Sequence, residues 1–315
     1  MTTAFITGVG GQDGSYLAEE LLAAGYEVHG LSAPGAPGRP TTGVVVHTAD
    51  LRDAAAVDAL LDEIAADQIY NLAGVSSVAL SWEQPVLTAE VNAVGALGLL
   101  EGARRLADRT GKRVAFVQAA SAEVFGEPAT SPQDERTPIR PVNPYGISKA
   151  FAHQAAAVYR GRGLHACSLI LYNHESPRRP PDFVTRKITS TAAAIAQGLA
   201  TELALGNLDA RRDWGWAPDY VHAMRLAAEH PVAGDYVIAT GASHSVRDFV
   251  AAAFARAGLA DWERYVRVDP AFLRPVDATE LRGDASKARD VLGWTPTVAF
   301  DELVARMVEA DLEAA

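Results

Sequence analysis

Cysteine is almost absent from the 315-residue chain, and Cys167 is the single example. No disulfide can form within the chain, and the apolar stretch "LHACSLILY" around Cys167 predicts a core residue rather than a nucleophile. Long apolar runs are also missing, so we expect no segment that spans a bilayer. Because the strand-like "AFITG" follows Met1 almost directly, we expect no secretory leader. These absences predict a cytoplasmic protein without a membrane partner.

Basic residues are outnumbered, with 28 Lys and Arg against 39 Asp and Glu, a net charge of −11. This balance argues against nucleic acid as the main partner. The basic residues nevertheless cluster at 176–179, 185–187 and 210–215. A local positive pocket on an acidic protein suits a small anionic ligand, although a solvated surface is the alternative for each cluster. We predict no metal site.

Strand-like and helical segments alternate from the first residues to Tyr172. This alternation predicts an α/β fold with a doubly wound parallel sheet of the Rossmann type. After Tyr172 the pattern loosens and prolines cluster at 177–181. We therefore predict a dinucleotide-binding domain over 1–172 and a smaller, mixed α/β substrate-binding domain over 173–315, with the two interleaved.

A glycine-rich turn, "TGVGGQDG", lies between the first predicted strand and the first predicted helix. Gly8, Gly11 and Gly14 allow a tight turn and a close approach of the backbone to a pyrophosphate, which then rests on the start of the helix. In this context the turn predicts dinucleotide binding. Asp50, which ends the third predicted strand, would accept a hydrogen bond from an adenine amino group, and a cap for the next helix is the alternative.

The segment "NPYGISK" places Tyr145 and Lys149 one helical turn apart, after a capping Asn143 and a first-turn Pro144. The phenol and the ammonium then share a face, and the cation is expected to lower the tyrosine pKa and make it a usable base. Such a pair is common on ordinary helices. Here it follows a dinucleotide turn and a strand that ends at Ser121, which together indicate a short-chain dehydrogenase site.

The strand "RVAFVQAA" is followed by Ser121 and Glu123, spaced so that both side chains could point to the same side. Ser121 would hydrogen-bond the substrate hydroxyl that Tyr145 deprotonates. An alcohol dehydrogenase has no use for a carboxylate beside that hydroxyl, whereas a dehydratase does. Once a sugar carbon is a ketone, a carboxylate can remove the acidic proton of the neighbouring carbon, and water then leaves. The cofactor ends as it began and need not dissociate.

The chain resembles the GDP-mannose 4,6-dehydratases of the extended short-chain dehydrogenase/reductase superfamily. The resemblance rests on segments such as "ITGVGGQDGSYLAEELLAAGYEVHG", "SAEVFGE", "NPYGISK", "NHESPRR", "FVTRKIT" and "GNLDARRDWG". It implies conversion of GDP-mannose to GDP-4-keto-6-deoxymannose with NADP. The catalytic residues that it implies are Ser121, Glu123, Tyr145 and Lys149, with Glu123 as the base at C5. It implies cofactor binding by Gly8, Gly11, Gln12, Asp13, Gly14, Ser32, Asp50, Leu51, Leu72, Tyr145, Lys149 and His174, and substrate binding by Ser76, Asn173, Thr185, Lys187, Arg212 and Arg274.

The chain departs from this family after the second strand, where the family has an arginine pair and a long loop. Here the segment is the short "LSAPGAPGRP". Neither an arginine nor an acidic residue ends the strand, so NAD is the alternative to NADP, although Ser32 and Arg39 could serve a 2′-phosphate. The family's arginine also helps to build a tetramer. Because that arginine is missing here, we expect a homodimer or another homo-oligomer instead.

Differences at Val75, Ser77 and Pro180–Pro181 fall in the substrate region. They motivate a second hypothesis, in which a dehydratase or epimerase of the same superfamily acts on another nucleotide-linked or nucleoside-linked sugar. A third hypothesis is a dinucleotide-sensing protein that has lost catalysis. It predicts damage to the Ser, Tyr and Lys set, which is intact here.

Overall fold

The computed structural model describes residues 1–36, 41–272 and 278–314. The strands of these segments run in chain order as β1 (Thr3–Thr7), β2 (Glu27–Ser32), β3 (Val45–Thr48), β4 (Gln68–Asn71), β5 (Ala115–Ser121), β6 (His165–Leu171), β7 (Asn173–Glu175), β8 (Leu203–Leu205), β9 (Arg211–Trp216), β10 (Asp235–Ile238), β11 (Ser243–Ser245), β12 (Val266–Val268) and β13 (Glu280–Leu281). The α-helices are α1 (Gln12–Ala23), α2 (Ala54–Ile64), α3 (Val78–Glu83), α4 (Pro85–Ala89), α5 (Ala96–Thr110), α6 (Pro144–Gly161), α7 (Val184–Ala196), α8 (Ala217–Glu229), α9 (Val246–Arg256) and α10 (Phe300–Ala314).

Seven strands form one parallel sheet in the order β10-β6-β5-β4-β1-β2-β3. Helices cover both faces, with α1 and α8 on one side and α2, α5 and α6 on the other. Because both faces are covered, central strands such as β5 are buried almost throughout. The predicted doubly wound sheet is confirmed, and Cys167 is buried in β6 as predicted.

A second core lies among helices α7, α9 and α10. Beside it, β9 pairs with β7, β11 and β13, and β8 pairs with β12. Strand β10 belongs to the large sheet although it follows residue 172. The division into two domains at that residue stays a prediction.

One helical stretch bears on the expectation that no segment spans a bilayer. Helices α4 and α5 are joined by a π-helical segment, Glu90–Gly95, into an uninterrupted helix from Pro85 to Thr110. By length and composition alone this helix could cross a membrane, but a core helix passes the same test, so the expectation stays a prediction. Half of its most apolar window is buried inside the fold.

The sheet order places the ends of several strands at one edge. The order reverses between β1 and β4, and open α/β sheets bind their ligands at such a switch point, outside the carboxyl ends of the strands. Ser121, at the end of β5, pairs with Leu171, at the end of β6. The polar residues that follow these strands therefore face a common crevice.

Candidate active site

A cavity of about 340 Å³ opens at this edge of the sheet. It brings together residues from the glycine-rich turn, the ends of β5 and β6, helix α6 and the carboxyl-terminal part. Twelve predicted site residues line it: Asp13, Leu72, Ser76, Ser121, Glu123, Tyr145, Lys149, Asn173, His174, Thr185, Lys187 and Arg212.

The remaining predicted site residues do not line this cavity. They belong to the glycine-rich turn and to the ends of β2 and β3, and they are Gly8, Gly11, Gln12, Gly14, Ser32, Asp50 and Leu51. Arg274, like Arg39, falls outside the described residues. The assignment of each residue to cofactor or substrate stays a prediction.

The spacing of Ser121 and Glu123 suggested that both lie on one extended strand, but they do not. Strand β5 ends at Ser121, and a short 3₁₀ turn, Ala122–Val124, follows. The Ser121 hydroxyl accepts a hydrogen bond from the Glu123 main-chain N–H at 3.2 Å and so stabilises the start of the turn. Both side chains still line the cavity because the turn brings Glu123 round to it.

Tyr145 and Lys149 lie on the first turns of α6, which begins as predicted. Asn143 caps the helix through a 2.7 Å hydrogen bond from the Gly146 N–H, and Pro144 occupies the first turn. The Lys149 ammonium lies 5.9 Å from the centroid of the Tyr145 ring and donates to the Ala119 carbonyl oxygen at 2.9 Å.

The expected lowering of the Tyr145 pKa by Lys149 is wrong. The pKa of Tyr145 is raised to about 12, mainly by burial; a hydrogen bond with Ser121 lowers it and the nearby Glu123 carboxylate raises it. The pKa of Lys149 is lowered to about 8 by burial, although Asp13 acts in the opposite direction. The interior therefore disfavours both charges, and the sequence spacing could not show this.

The glycine-rich turn has the backbone shape that a pyrophosphate needs. Gly8 adopts a left-handed conformation with φ +71°, and a Cβ there would lie 3.0 Å from the Ala73 backbone. A Cβ on Gly14 would lie 2.3 Å from the Gly8 carbonyl oxygen, so helix and turn meet in direct backbone contact. Within the described chain no side chain caps α1 at Gly11. The first N–H groups of α1 and its dipole thus fit an anionic diphosphate.

The first turn of α1 is joined to strand β7 by side-chain hydrogen bonds. Asp13 and His174 lie 2.9 Å apart, carboxylate oxygen to Nε2, and the Gln12 amide donates to the His174 carbonyl oxygen at 3.1 Å. Burial acts against the charge of Asp13, but the His174 ring and the Gln12 amide lower its pKa to about 2. Asp13 in turn raises the pKa of His174 against the effect of burial.

Asp50 does not cap the helix that follows it, because Asp53 accepts the hydrogen bond from the Ala56 N–H at 3.0 Å. Strand β3 ends earlier than predicted, at Thr48. The Asp50 carboxylate instead contacts the Arg52 guanidinium at 2.6 Å. A contact of Asp50 with adenine stays a prediction.

Each of the three basic clusters contributes one side chain to the cavity, and the cavity-lining members are Arg179, Lys187 and Arg212. Their neighbours in sequence form ion pairs elsewhere: Arg178 with Glu19, Arg186 with Asp311, and Arg211 with Glu280. Only one member of each arginine or lysine pair thus lines the cavity, and because Asp13, Glu123, Glu175 and Asp182 line it as well, the expected positive pocket stays a prediction.

Two features of the site were missed in the sequence. Arg179 lines the cavity with its Nε 3.2 Å from the buried Glu175 carboxylate, which also accepts a 2.7 Å hydrogen bond from the Thr185 hydroxyl. Asn92, in the π-helical segment, holds the backbone of Val75 by hydrogen bonds of 2.8 and 2.9 Å. The sequence signal for the Asn92 contact was an asparagine among small apolar helix residues.

Comparison with known proteins gives a consistent result. The family model for GDP-mannose 4,6 dehydratase matches residues 5–307. GDP-mannose 4,6 dehydratase 2 of Arabidopsis thaliana is 47% identical over 99% of this chain and 87% of its own length. The GDP-mannose 4,6-dehydratase of Vibrio cholerae is 40% identical over 99% of this chain and 94% of its own.

Among solved structures, the fold is similar to that of UDP-glucose 4-epimerase from Thermus thermophilus, crystallised with NAD. The TM-score is 0.87 at 31% identity, and the alignment covers 100% of both chains. The glycine-rich turn described above and this nicotinamide-binding relative agree on the class of cofactor. Because the family model matches residues 5–307 and the full-length relatives carry the same name, the chain belongs to the GDP-mannose 4,6-dehydratase family.

Proposed function

We propose that this chain removes water from GDP-mannose and releases GDP-4-keto-6-deoxymannose. The observation that carries the proposal is one cavity in which a hydroxyl, a carboxylate, a phenol and an ammonium meet, contributed by Ser121, Glu123, Tyr145 and Lys149. A dehydrogenase needs the hydroxyl, the phenol and the ammonium, whereas the carboxylate is the group that water loss requires.

Each residue has a distinct task in this reaction. Tyr145, hydrogen-bonded with Ser121, takes the proton of the C4 hydroxyl as that carbon becomes a ketone. A bound nicotinamide supplies a reversible store for the hydride that leaves C4 and later reaches C6. Glu123 removes the C5 proton, which the ketone has made acidic, and delivers a proton to the departing C6 hydroxyl. One proton equivalent, that taken from the C4 hydroxyl, is returned to C5, so that only water is lost overall.

The cofactor that we propose is NADP. Gly8, Gly11 and Gly14 form the turn for the pyrophosphate, and Asp13 and His174, which contact each other at 2.9 Å, line the cavity. Strand β2 ends in Ser32, and an acidic residue there would have disfavoured a 2′-phosphate. A comparison of the dissociation constants for NADP and NAD tests the choice, and tighter binding of NAD would contradict it.

The nucleotide diphosphate of the substrate is proposed to contact the carboxyl-terminal side of the cavity. Asn173, Lys187 and Arg212 line this side, and Arg212 is nearly buried. A guanidinium held in a partly apolar pocket binds phosphate oxygens in pairs. Thr185 also lines the cavity, but its hydroxyl donates to Glu175.

We further propose that a second copy of the chain covers an apolar face of α6. Ile147, Phe151 and Val158 are 58%, 44% and 62% exposed, and Val94 on the adjoining long helix is 60% exposed. Contiguous apolar side chains of this size usually mark an interface, and a self-complementary pair of helices is compatible with a two-fold axis. This face supports a homodimer.

Mass spectrometry of the purified protein incubated with GDP-mannose tests the function. We expect loss of one water from the nucleotide sugar when NADP is present or retained, and no loss in the Tyr145→Phe variant. An unchanged mass with either cofactor, from a folded protein, would contradict the proposed substrate. The hypothesis of another nucleotide-linked or nucleoside-linked sugar, which the full-length relatives do not favour, would then be tested with UDP-linked and dTDP-linked hexoses.

A further inference from the structure

Asn143 contacts two parts of the site at once. Its side-chain oxygen accepts the capping hydrogen bond from the Gly146 N–H at 2.7 Å, and its side-chain amide donates to Glu123 Oε2 at 2.8 Å. The residue is 2% exposed, and its capping contact is buried, whereas Glu123 is half-buried at the cavity wall. One side chain thus joins the carboxylate on the turn after β5 to the helix that carries Tyr145.

Helix capping alone does not explain an asparagine at this position. Serine, threonine and aspartate cap helices about as well. Among these residues only asparagine has an acceptor and an amide donor at the end of the same short side chain. An aspartate would place a second carboxylate against Glu123, and a serine hydroxyl is shorter. The feature that distinguishes Asn143 is therefore the donor that it offers to Glu123.

The backbone shows independently that these two elements are closely docked. A Cβ on Gly146 would lie 2.6 Å from the Glu123 main-chain oxygen, closer than real contacts allow. The start of α6 therefore packs against the 3₁₀ turn so closely that only glycine fits at position 146. Glu123 is also close enough to raise the pKa of Tyr145.

We infer that Asn143 is a positioning residue that holds the Glu123 carboxylate for proton removal at C5. This inference rests on the proposed function. The main chain of Glu123 is held by the turn and by Gly146, whereas its carboxylate sits at the end of a flexible side chain. The amide of Asn143 restricts that side chain and relates it to Tyr145 through the rigid helix. Asn143 should matter for water loss and much less for the oxidation at C4.

The test compares the two half-reactions in Asn143→Ser and Asn143→Asp. Both variants keep a capping residue and lose the amide donor. Single-turnover absorbance reports the hydride step, and mass spectrometry in D₂O reports water loss and deuterium uptake at C5. We expect the hydride step to stay within a few fold of wild type and water loss to slow on the order of tenfold to a hundredfold.

Asp53→Ala is the matched control, because the Asp53 side chain caps α2 and does not line the cavity. It should lower the melting temperature by a few degrees and leave both half-reactions unchanged. Normal water loss in either folded Asn143 variant would overturn the inference, as would an equal fall in both steps. If Asn143→Ser does not fold, Asn143→Asp still removes the amide donor, and because it also places a second carboxylate against Glu123, water loss should slow at least as much. A wild-type chain that performs neither step contradicts the proposed function itself, and the inference falls with it.

Discussion

At the scale of single residues, the site is dominated by the cost of burying charge. The same burial raises the pKa of Tyr145 to about 12 and lowers that of Lys149 to about 8, because it disfavours the phenolate and the ammonium alike. Hydrogen bonding with Ser121 favours the phenolate, and the Asp13 carboxylate favours the ammonium. Neither partner offsets the effect of burial on the phenol, which is protonated at neutral pH in the ligand-free protein, so taking the C4 proton requires the Tyr145 pKa to fall when the ligands bind.

Replacing Tyr145 with Phe should abolish the hydride step, because it removes the oxygen that takes the C4 proton. We expect a loss of about 10²- to 10⁴-fold in the single-turnover rate, with nucleotide affinity within a few fold of wild type. Stopped-flow absorbance and calorimetric titration with GDP measure the two quantities. Full turnover in this variant would remove Tyr145 from the mechanism.

Replacing Glu123 with Gln should stop water loss and still permit reduction of the cofactor. The amide keeps the shape of the side chain but cannot accept the C5 proton. Mass spectrometry of the nucleotide sugar after one turnover measures the outcome. Glu127→Gln is the control, because Glu127 is an exposed carboxylate just beyond the same turn. If Glu123→Gln dehydrates normally, the carboxylate is structural.

At the scale of elements, the large sheet was predictable because strands such as β1, β5 and β6 are short apolar runs next to helical segments, although no helix separates β2 from β3 in the described chain. Strand β10 was not assigned from the sequence, because its neighbour β6 lies more than sixty residues earlier in the chain. A capping role for Asp50 stayed an alternative in the sequence because Asp50 and Asp53 both precede α2, and only the fold decides which carboxylate reaches its first turn.

The site could be predicted where the chemistry is local to one segment, as in the glycine-rich turn and the Tyr145–Lys149 pair. The site could not be predicted where two neighbouring side chains point in different directions and only one of them lines the cavity. Arg178 and Arg179 are adjacent, yet only Arg179 lines the cavity, because the first contacts Glu19 on α1. The elevated pKa of Tyr145 was missed for a related reason, since burial depends on elements that are distant in sequence.

The ion pair between α1 and β7 predicts a pH-dependent contribution to stability. His174 has a raised pKa, so its contribution is complete below pH 6.5 and is lost as the pH rises through its folded value. Asp13 has a lowered pKa of about 2, so its contribution is present above about pH 4 and is lost as the pH falls toward 2.

We therefore expect His174→Asn to lower the free energy of unfolding by about 1–3 kcal/mol at pH 6 and by less at pH 9. Urea unfolding of the cofactor-free protein at both pH values measures the difference. A destabilisation that is the same at both would show that the imidazolium charge does not contribute.

At the scale of the whole molecule, the proposed dimer depends on the exposed apolar face of α6. Ile147→Asp and Phe151→Asp should shift the protein to the monomer, because a carboxylate would be buried against apolar side chains. Size-exclusion chromatography with light scattering measures the mass. Val232→Asp is the control, since Val232 is also largely exposed, at 65%, but lies outside this face. A wild-type chain that elutes as a monomer would contradict the dimer.

The hydrogen bonds of Gln12 have a thermodynamic consequence for the order in which ligands bind. This one side chain, on the first turn of α1, donates to the His174 carbonyl oxygen and accepts from the Ser176 hydroxyl at 2.8 Å. If the cofactor contacts α1 and the substrate the other side of the cavity, as we propose, ordering one side should order the other. Linkage requires the effect to be reciprocal, so NADP should tighten the binding of GDP by the same factor by which GDP tightens the binding of NADP. Once both are bound, neither should leave readily without the other.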